Sequence, residues 1–389
     1  MLSNLSLDGI QTPAFVYDEM LLTQAVTRLK RIGEQAGCKV LFSLKSFAVI
    51  DALNLMSPIV DGFASSSLFE ATLARDVVNN GTVHITTPSF RPDEIDVIAE
   101  TCDYISFNSL SQWKRFRRIV GDRAYCGLRV NPQLSFVTDE RYDPCRKHSK
   151  LGVPLNTLLD ALDDNYRELD QASGIHFHTN CESTSLVPLL STVQHINQSL
   201  GDLLKKLEWL NLGGGYQYDE INSFEPLYQA VKLLRRKNGL EVFIEPGEAI
   251  VGNAGYIISS VLDLFDSEGK TIAILDTTVN HIPQVYEYQY RPDVQTATEF
   301  GKYSYIFGGA TCLAGDIFGE YKFDVPLGIG SKIIFEFMGA YTLVKAHMFN
   351  GINLPNIYAL SSDNEFLLKK QYTYQDYVSR WKERAYETV

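Results

Sequence analysis

The chain is 389 residues long, 45% hydrophobic and 21% charged, enough for two packed domains with the balance of a globular protein. Its net charge of −12, with no basic stripe, excludes the clustered Lys and Arg that neutralise nucleic-acid phosphates. No apolar run reaches the length of a bilayer span, and the start MLSNLSLDGIQTPAF lacks the basic and apolar regions of a secretion signal, so no membrane association or export is expected.

In chain order, short apolar runs begin near Val40 (VLFSL), Ile59 (IVDGFAS), Thr82 (TVHITT), Asp103 (DYISF), Tyr125 (YCGLRV), Gly174 (GIHFH), Glu208 (EWLNL) and Glu241 (EVFIE). Between them lie stretches of helical spacing: Leu21, Leu22, Ala25, Leu29 and Ile32, then Leu68, Ala71, Ala74 and Val78, then Leu158, Leu159 and Leu162. Eight strands alternating with helices predict a closed (β/α)8 TIM barrel over residues 18–250, with a doubly wound sheet as the alternative. After about Ala249 the texture changes. YIISSVLDLF, TIAILDTTV, YSYIFGGAT and KIIFEFMGAY follow one another, punctuated by Gly and Pro, which predicts a mostly antiparallel β domain over 251–389. Residues 1–17 are expected to pair with it. Six scattered cysteines with no CxxC pair argue against a zinc ribbon or disulfide scaffold and for a reducing cytoplasm.

Several residues carry chemistry. Strand alternation in VLFSLKSF puts Leu41, Ser43 and Lys45 on one face, with Lys45 at the C-terminal strand end, where this barrel class keeps its active sites. An amine among apolar walls has a lowered pKa and attacks aldehydes more readily, although a lysine at a strand end is also an ordinary solvated residue. His176 and His178 share a face of GIHFH. Two ligands are too few for a metal, and an imidazole against a flat cofactor competes with a plain hydrogen-bonded interior pair. Gly213, Gly214 and Gly215 follow a strand, where bare N–H groups can meet a phosphate or simply form a flexible turn. Glu245 ends the eighth strand, placed either to hold a pyridine nitrogen protonated or to make a loop contact. Cys312 and Asp316 share the loop GGATCLAGD, and Tyr341 lies in FMGAYT. Alone, Cys312 reads as a small hydrophobe and Tyr341 as a packed aromatic. Arg129 lies near the end of YCGLRV, where a salt bridge in the barrel mouth is the plain reading.

Together and in this order, these segments resemble the fold-type III pyridoxal-phosphate (PLP) enzymes, the alanine-racemase-like decarboxylases, from TPAFVYD to the Tyr341 region. The resemblance implies a Schiff-base lysine at Lys45, ring stacking by His178, a phosphate loop at Gly213–Gly215, a pyridine-nitrogen partner in Glu245, a phosphate contact from Tyr341 and a cofactor-side Arg129. It also implies a homodimer with a shared active site, in which Cys312 reaches in from a second subunit to return a proton. Within the family the likeness is to the branch that decarboxylates carboxylated polyamines (carboxynorspermidine and carboxyspermidine), carried by FSLKSF, GFASSSLFEA, GIHFHTNCE, WLNLGGGYQ, EPGEA, DTTVNHIPQVYEY and TCLAGD. Ornithine-type relatives usually carry Arg after Glu-Pro-Gly, where Glu248 stands here, and an acid after the loop Cys, where Leu313 stands. Diaminopimelate decarboxylases place an Arg in the stretch equivalent to residues 280–288, which here has none. A long cationic tail needs carboxylates or aromatic faces, and Glu248, Glu287 and Asp316 are the candidates. The alternatives are a diaminopimelate, ornithine or arginine decarboxylase of the same fold, a racemase, or a non-catalytic PLP-binding regulatory homologue.

Overall fold

The computed structural model describes residue 2 and residues 5–163 and 167–382. The chain divides into two compact units, one spanning Thr23–Ile250 and one built from the described residues up to Leu22 and from Val251 onward.

In the first unit all eight apolar runs are strands. After β1 (Ala14–Asp18) come β2 (Lys39–Ser43), β3 (Gly62–Ser65), β4 (Thr82–Thr87), β5 (Tyr104–Phe107), β6 (Tyr125–Asn131), the two-residue β7 (Val153–Pro154), β8 (Gly174–His176), β9 (Trp209–Asn211) and β10 (Glu241–Ile244). From β2 through β6, then β8, β9 and β10, each pairs in parallel with the next, and β10 returns to β2. The barrel is therefore closed, with no open edge; β7 pairs with β6 outside the ring. Strands this short, buried on both faces, read as continuous apolar runs rather than alternating ones. The helices between them start on side-chain caps where Ser is available: Ser67 accepts from the Glu70 N–H, and Ser109 from the Gln112 N–H.

Leu41, Ala64, Tyr104, Trp209 and Phe243 pack together in the interior. At the N-terminal strand ends the Tyr104 hydroxyl donates to Glu241, which also pairs with Lys39, and the His84 ring stacks on Tyr104 at 4.2 Å. That packing fills the barrel from below and leaves the C-terminal strand ends for chemistry.

In the second unit β1 is joined by β11 (Gly255–Ser267), β12 (Lys270–Leu275), β13 (Tyr303–Gly308), β14 (Ile317–Phe323), β15 (Lys332–Phe335), β16 (Asn356–Leu360) and β17 (Phe366–Lys370). The sheet order is β14–β13–β12–β11–β1–β16–β17, with β15 also on β11. It is mostly antiparallel; β1–β16 and β12–β13 are the parallel junctions. Ile10, Ala14, Val16, Ile258, Ile334, Tyr358 and Leu360 form its core. Among the described residues no helix is long and apolar enough to cross a membrane.

Candidate active site

Strand β2 stops at Ser43, two residues before Lys45. The Ser43 N–H donates to the Pro246 carbonyl (3.0 Å), and the chain turns into a single 3-10 turn, Leu44–Ser46, closed by the Ser46 hydroxyl on the Ser43 carbonyl (2.8 Å). Lys45 is thus not the alternating strand residue the sequence suggested. It is the one residue of this turn left exposed, since Leu44 and Ser46 are buried. The protein atoms that ring its amine lower its pKa; Glu245 opposes that and Arg129 adds to it. Water still reaches the side chain, which moderates the shift.

Across the barrel, register aligns a polar belt. Arg129 of β6 pairs with His176 of β8, and His176 with Asn211 of β9. One residue past β10 stands Glu245, whose side chain is 10% exposed. Asn211 Oδ1 accepts the Gly213 N–H (2.9 Å), which turns the Asn211 amide so that Nδ2 donates to Glu245 Oε1 at 2.8 Å. His176 Nε2 lies 3.5 Å from Glu245 Oε2. Burial alone would raise the Glu245 pKa, but His176, Lys45 and His178 outweigh it and hold the carboxylate ionised, well below its usual range. Burial keeps both histidines neutral. His178 Nδ1 accepts the Gly214 N–H (3.1 Å), so the imidazole proton sits on Nε2. Burial also lowers the Arg129 pKa, to about 10, against the opposing charge of Glu245.

The glycine run is demanded by crowding and by backbone angle. Gly213 and Gly215 have φ of +68° and +90°. A Cβ on Gly213 would fall 2.4 Å from the Phe177 carbonyl oxygen, on Gly214 2.2 Å from that of Glu245, and on Gly215 2.0 Å from that of Asn180. The loop is a narrow cradle that side chains would fill. Two of its three glycine N–H groups are not open to an anion, however: Gly213 and Gly214 are committed to Asn211 and His178.

Glu248 opens the short helix Glu248–Val251. Burial and the negative charge of Glu182 push its carboxyl up to about 7, while Gln217 hydrogen-bonds to it and opposes the shift. Neither Glu182 nor Gln217 was singled out by the sequence. Nor was Glu70, which accepts the Ser66 N–H (2.6 Å), although the Ser67-x-x-Glu70 capping pattern is legible once a helix is placed there.

In the β unit, Asp316 is buried and heavily hydrogen-bonded. It accepts from the Thr278 hydroxyl, the Val279 N–H and both the N–H and hydroxyl of Thr311. Those bonds tie the loop after β12 to the loop after β13, so the carboxylate that the sequence offered to a substrate holds loops instead. Cys312, on the same loop, is exposed, and its N–H donates to Asn350 Oδ1. Glu287 pairs with Lys345, whose ammonium also lies 6.0 Å from the Tyr288 ring centroid and 5.5 Å from that of Tyr341. Among the described residues no group of three or more His, Cys, Asp or Glu is placed to hold a metal. The structure therefore gathers Lys45, Arg129, His176, His178, Gly213–Gly215 and Glu245 at one barrel mouth, and gathers Glu287 and Tyr341 around Lys345 in the other unit.

Residues 22–252 match the family model described as "Pyridoxal-dependent decarboxylase, pyridoxal binding domain". The chain belongs to the pyridoxal-dependent decarboxylases. It is 36% identical over 386 residues to a carboxyaminopropylagmatine decarboxylase of Synechocystis sp., covering 98% of each chain. It is 35% identical over 388 residues to a carboxynorspermidine/carboxyspermidine decarboxylase of Campylobacter jejuni, covering 96% of this chain and 99% of the relative. The crystal structure of carboxynorspermidine decarboxylase complexed with norspermidine from Campylobacter jejuni superposes with a TM-score of 0.86 at 33% identity, over 95% of this chain and 100% of that one. As in the rest of this decarboxylase family, the cofactor is PLP and the fold is the barrel with a mostly antiparallel β domain.

Proposed function

We propose that the chain decarboxylates a carboxylated polyamine of the carboxynorspermidine/carboxyspermidine class, yielding norspermidine or spermidine, and that it works in the cytoplasm as a homodimer with a shared active site. The observation that carries the substrate is that two stretches which hold an Arg in related decarboxylases carry acids and no Arg here. Glu248, a half-buried carboxylate destabilised as an anion, stands where an Arg is usual, and residues 280–288 contain Glu287 and no Arg. A substrate with a distal carboxylate would find no partner there, whereas an ammonium would relieve Glu248.

Bound PLP supplies an electron-accepting ring that takes up the charge left when the carboxyl group departs. The residues present fit such a group: a reachable amine, a dry anionic carboxylate, a flat imidazole of fixed tautomer and a loop with no room for side chains. Lys45 would hold the aldehyde end and Glu245 would keep the pyridine nitrogen protonated. His178 would supply a flat face to the ring, and Arg129 would stand with the cofactor-holding groups. The phosphate would be held by Tyr341 and by the Gly213–Gly215 loop, where Gly215 has the N–H not given to Asn211 or His178. The Cys312 thiol of the second subunit delivers a proton to the substrate Cα. Glu248 and Glu287 receive the cationic tail, Glu287 once Lys345 yields it.

A second reading is a guanidinium-tailed substrate, favoured by the identity to the carboxyaminopropylagmatine decarboxylase. The Tyr288 and Tyr341 rings that flank Lys345 suit a flat cation as well as a round one. CO2 release from purified protein with carboxynorspermidine, carboxyspermidine, carboxyaminopropylagmatine, diaminopimelate and ornithine tests both. A carboxylated polyamine should exceed diaminopimelate in kcat/KM on the order of 10²-fold or more. Equal or better turnover of diaminopimelate or ornithine overturns the assignment. Mixing inactive K45A and C312A proteins should restore turnover through hybrid dimers; no recovery removes the shared site.

A further inference from the structure

The two histidines of GIHFH do different work. His178 is engaged by the glycine loop, while His176 is 2% exposed and neither of its ring nitrogens has a hydrogen-bond partner within 3.5 Å and good geometry. An imidazole in that condition is costly, because both nitrogens have lost water. A leucine would fill the same space without that cost. The neighbour that rationalises the ring is Glu245, whose Oε2 lies 3.5 Å from Nε2. A carboxylate only accepts, so the single proton of a neutral His176 belongs on Nε2, facing it, and Nδ1 is left as a bare lone pair.

We propose that His176 is the positioning residue for Glu245. Asn211 donates to Oε1 from β9 and His176 faces Oε2 from β8, so the two strands grip the carboxylate from both sides and fix its plane. The Asn211 end of this clamp is itself set by the Gly213 N–H, which links the orientation of Glu245 to the glycine loop. Without His176 the carboxylate would keep one donor and could rotate about its last bond. Glu245 would then present a mixture of conformers to the ring nitrogen. The charged and titratable groups facing this clamp are Lys45 beyond β2, His84 of β4, Arg129 of β6, His178 beyond β8 and Glu245 beyond β10.

The inference rests on Glu245 being the ring-nitrogen partner, so E245Q is measured alongside. H176L and H176Q proteins are compared with wild type in four readouts: PLP dissociation constant by titration of the apoprotein, the pH dependence of the bound-PLP absorbance, kcat and KM separately, and Tm of the apoprotein. H176L should lower kcat on the order of tenfold to a hundredfold, the range for loss of an outer hydrogen-bond partner, with substrate KM within about twofold. It should also weaken PLP binding and displace the absorbance titration. H176Q, which carries a donor, should restore most of both. The double variant H176L/E245Q should be no worse than E245Q alone, because His176 acts through Glu245. If E245Q is impaired while H176L keeps wild-type kcat and titration, the role of His176 is overturned and that of Glu245 stands. If E245Q itself behaves as wild type in the PLP readouts, the ring-nitrogen reading fails first. If H176L and H176Q lose Tm equally and shift neither titration nor kcat, His176 is only packing. Should H176L fail to fold, H176N and H176Q carry the same comparison.

Discussion

Glu245 and Asp316 are both carboxylates out of solvent, and their surroundings differ in kind. Asp316 accepts four hydrogen bonds from two loops, three on Oδ2 and one on Oδ1, and is buried by them. Glu245 accepts one from Asn211, has a second donor, His176, at 3.5 Å, and is kept ionised by that donor and the Lys45 cation. The first is a fastener and the second is a charge held in reserve. The difference teaches that burial alone does not mark a functional acid; what counts is how much of its accepting capacity the protein has already used.

The comparison can be broken or sharpened by substitution. The largest effect belongs to the amine that Glu245 faces: Lys45→Ala should cut decarboxylation on the order of 10³-fold or more and abolish the visible absorbance of lysine-bound PLP. Glu245→Gln should lower kcat on the order of 10²–10³-fold with little loss of apoprotein Tm, as expected for an electrostatic rather than a structural group. Asp316→Asn should behave in the opposite way. It leaves buried donors facing an amide and should cost about 1–3 kcal/mol, a Tm loss of several degrees, with substrate KM little changed. A large KM change with Tm intact would restore Asp316 to the substrate site and erase the contrast.

Glu248 provides a pH test. Its carboxyl is raised to about 7, so in the fold it binds a proton that the unfolded chain, nearer the ordinary value of 4.5, has already lost. The sign follows: ionising Glu248 weakens the fold as pH rises from about 4.5 through 7, and the anion that forms is the state that attracts a cationic tail. Substrate KM should therefore fall as pH rises from 6 to 8, and Glu248→Gln should flatten that dependence. The smallest effect is expected at Lys345. Its pair with Glu287 is about a third to two-fifths exposed, so Lys345→Met should change stability by no more than about 0.5–1 kcal/mol, measured by denaturant unfolding.

The barrel was legible because its strands are short, doubly buried and therefore apolar throughout, and all eight runs proved to be ring strands. The β unit was less so. Strand β14, IFGEYKF, alternates with charges, and the edge strand β17, FLLKK, exposes Leu367 and Leu368, so neither stands out as an apolar run. At the site, residue types were visible and their commitments were not. Lys45, His178 and Glu245 each lie just past a strand end, which a period-2 reading reaches only approximately. That Asn211 would fix Glu245, that Gly213 and Gly214 would give up their N–H groups, and that Asp316 would be consumed by its own loops depend on contacts between distant segments, about which local pattern is silent.

The crowding around the glycine loop also bears on how this protein can be altered. With a 213–215 backbone that tolerates no β-carbon and a carbonyl of Glu245 only 2.2 Å from where one would stand, that neighbourhood offers mutagenesis almost no viable neighbours in sequence space. Within residues 280–288, Tyr286 and Glu287 are exposed and under no such steric veto, while His281, Ile282 and Val285 are buried. Libraries intended to retune tail length or charge should be aimed there, leaving the cofactor cradle as fixed hardware.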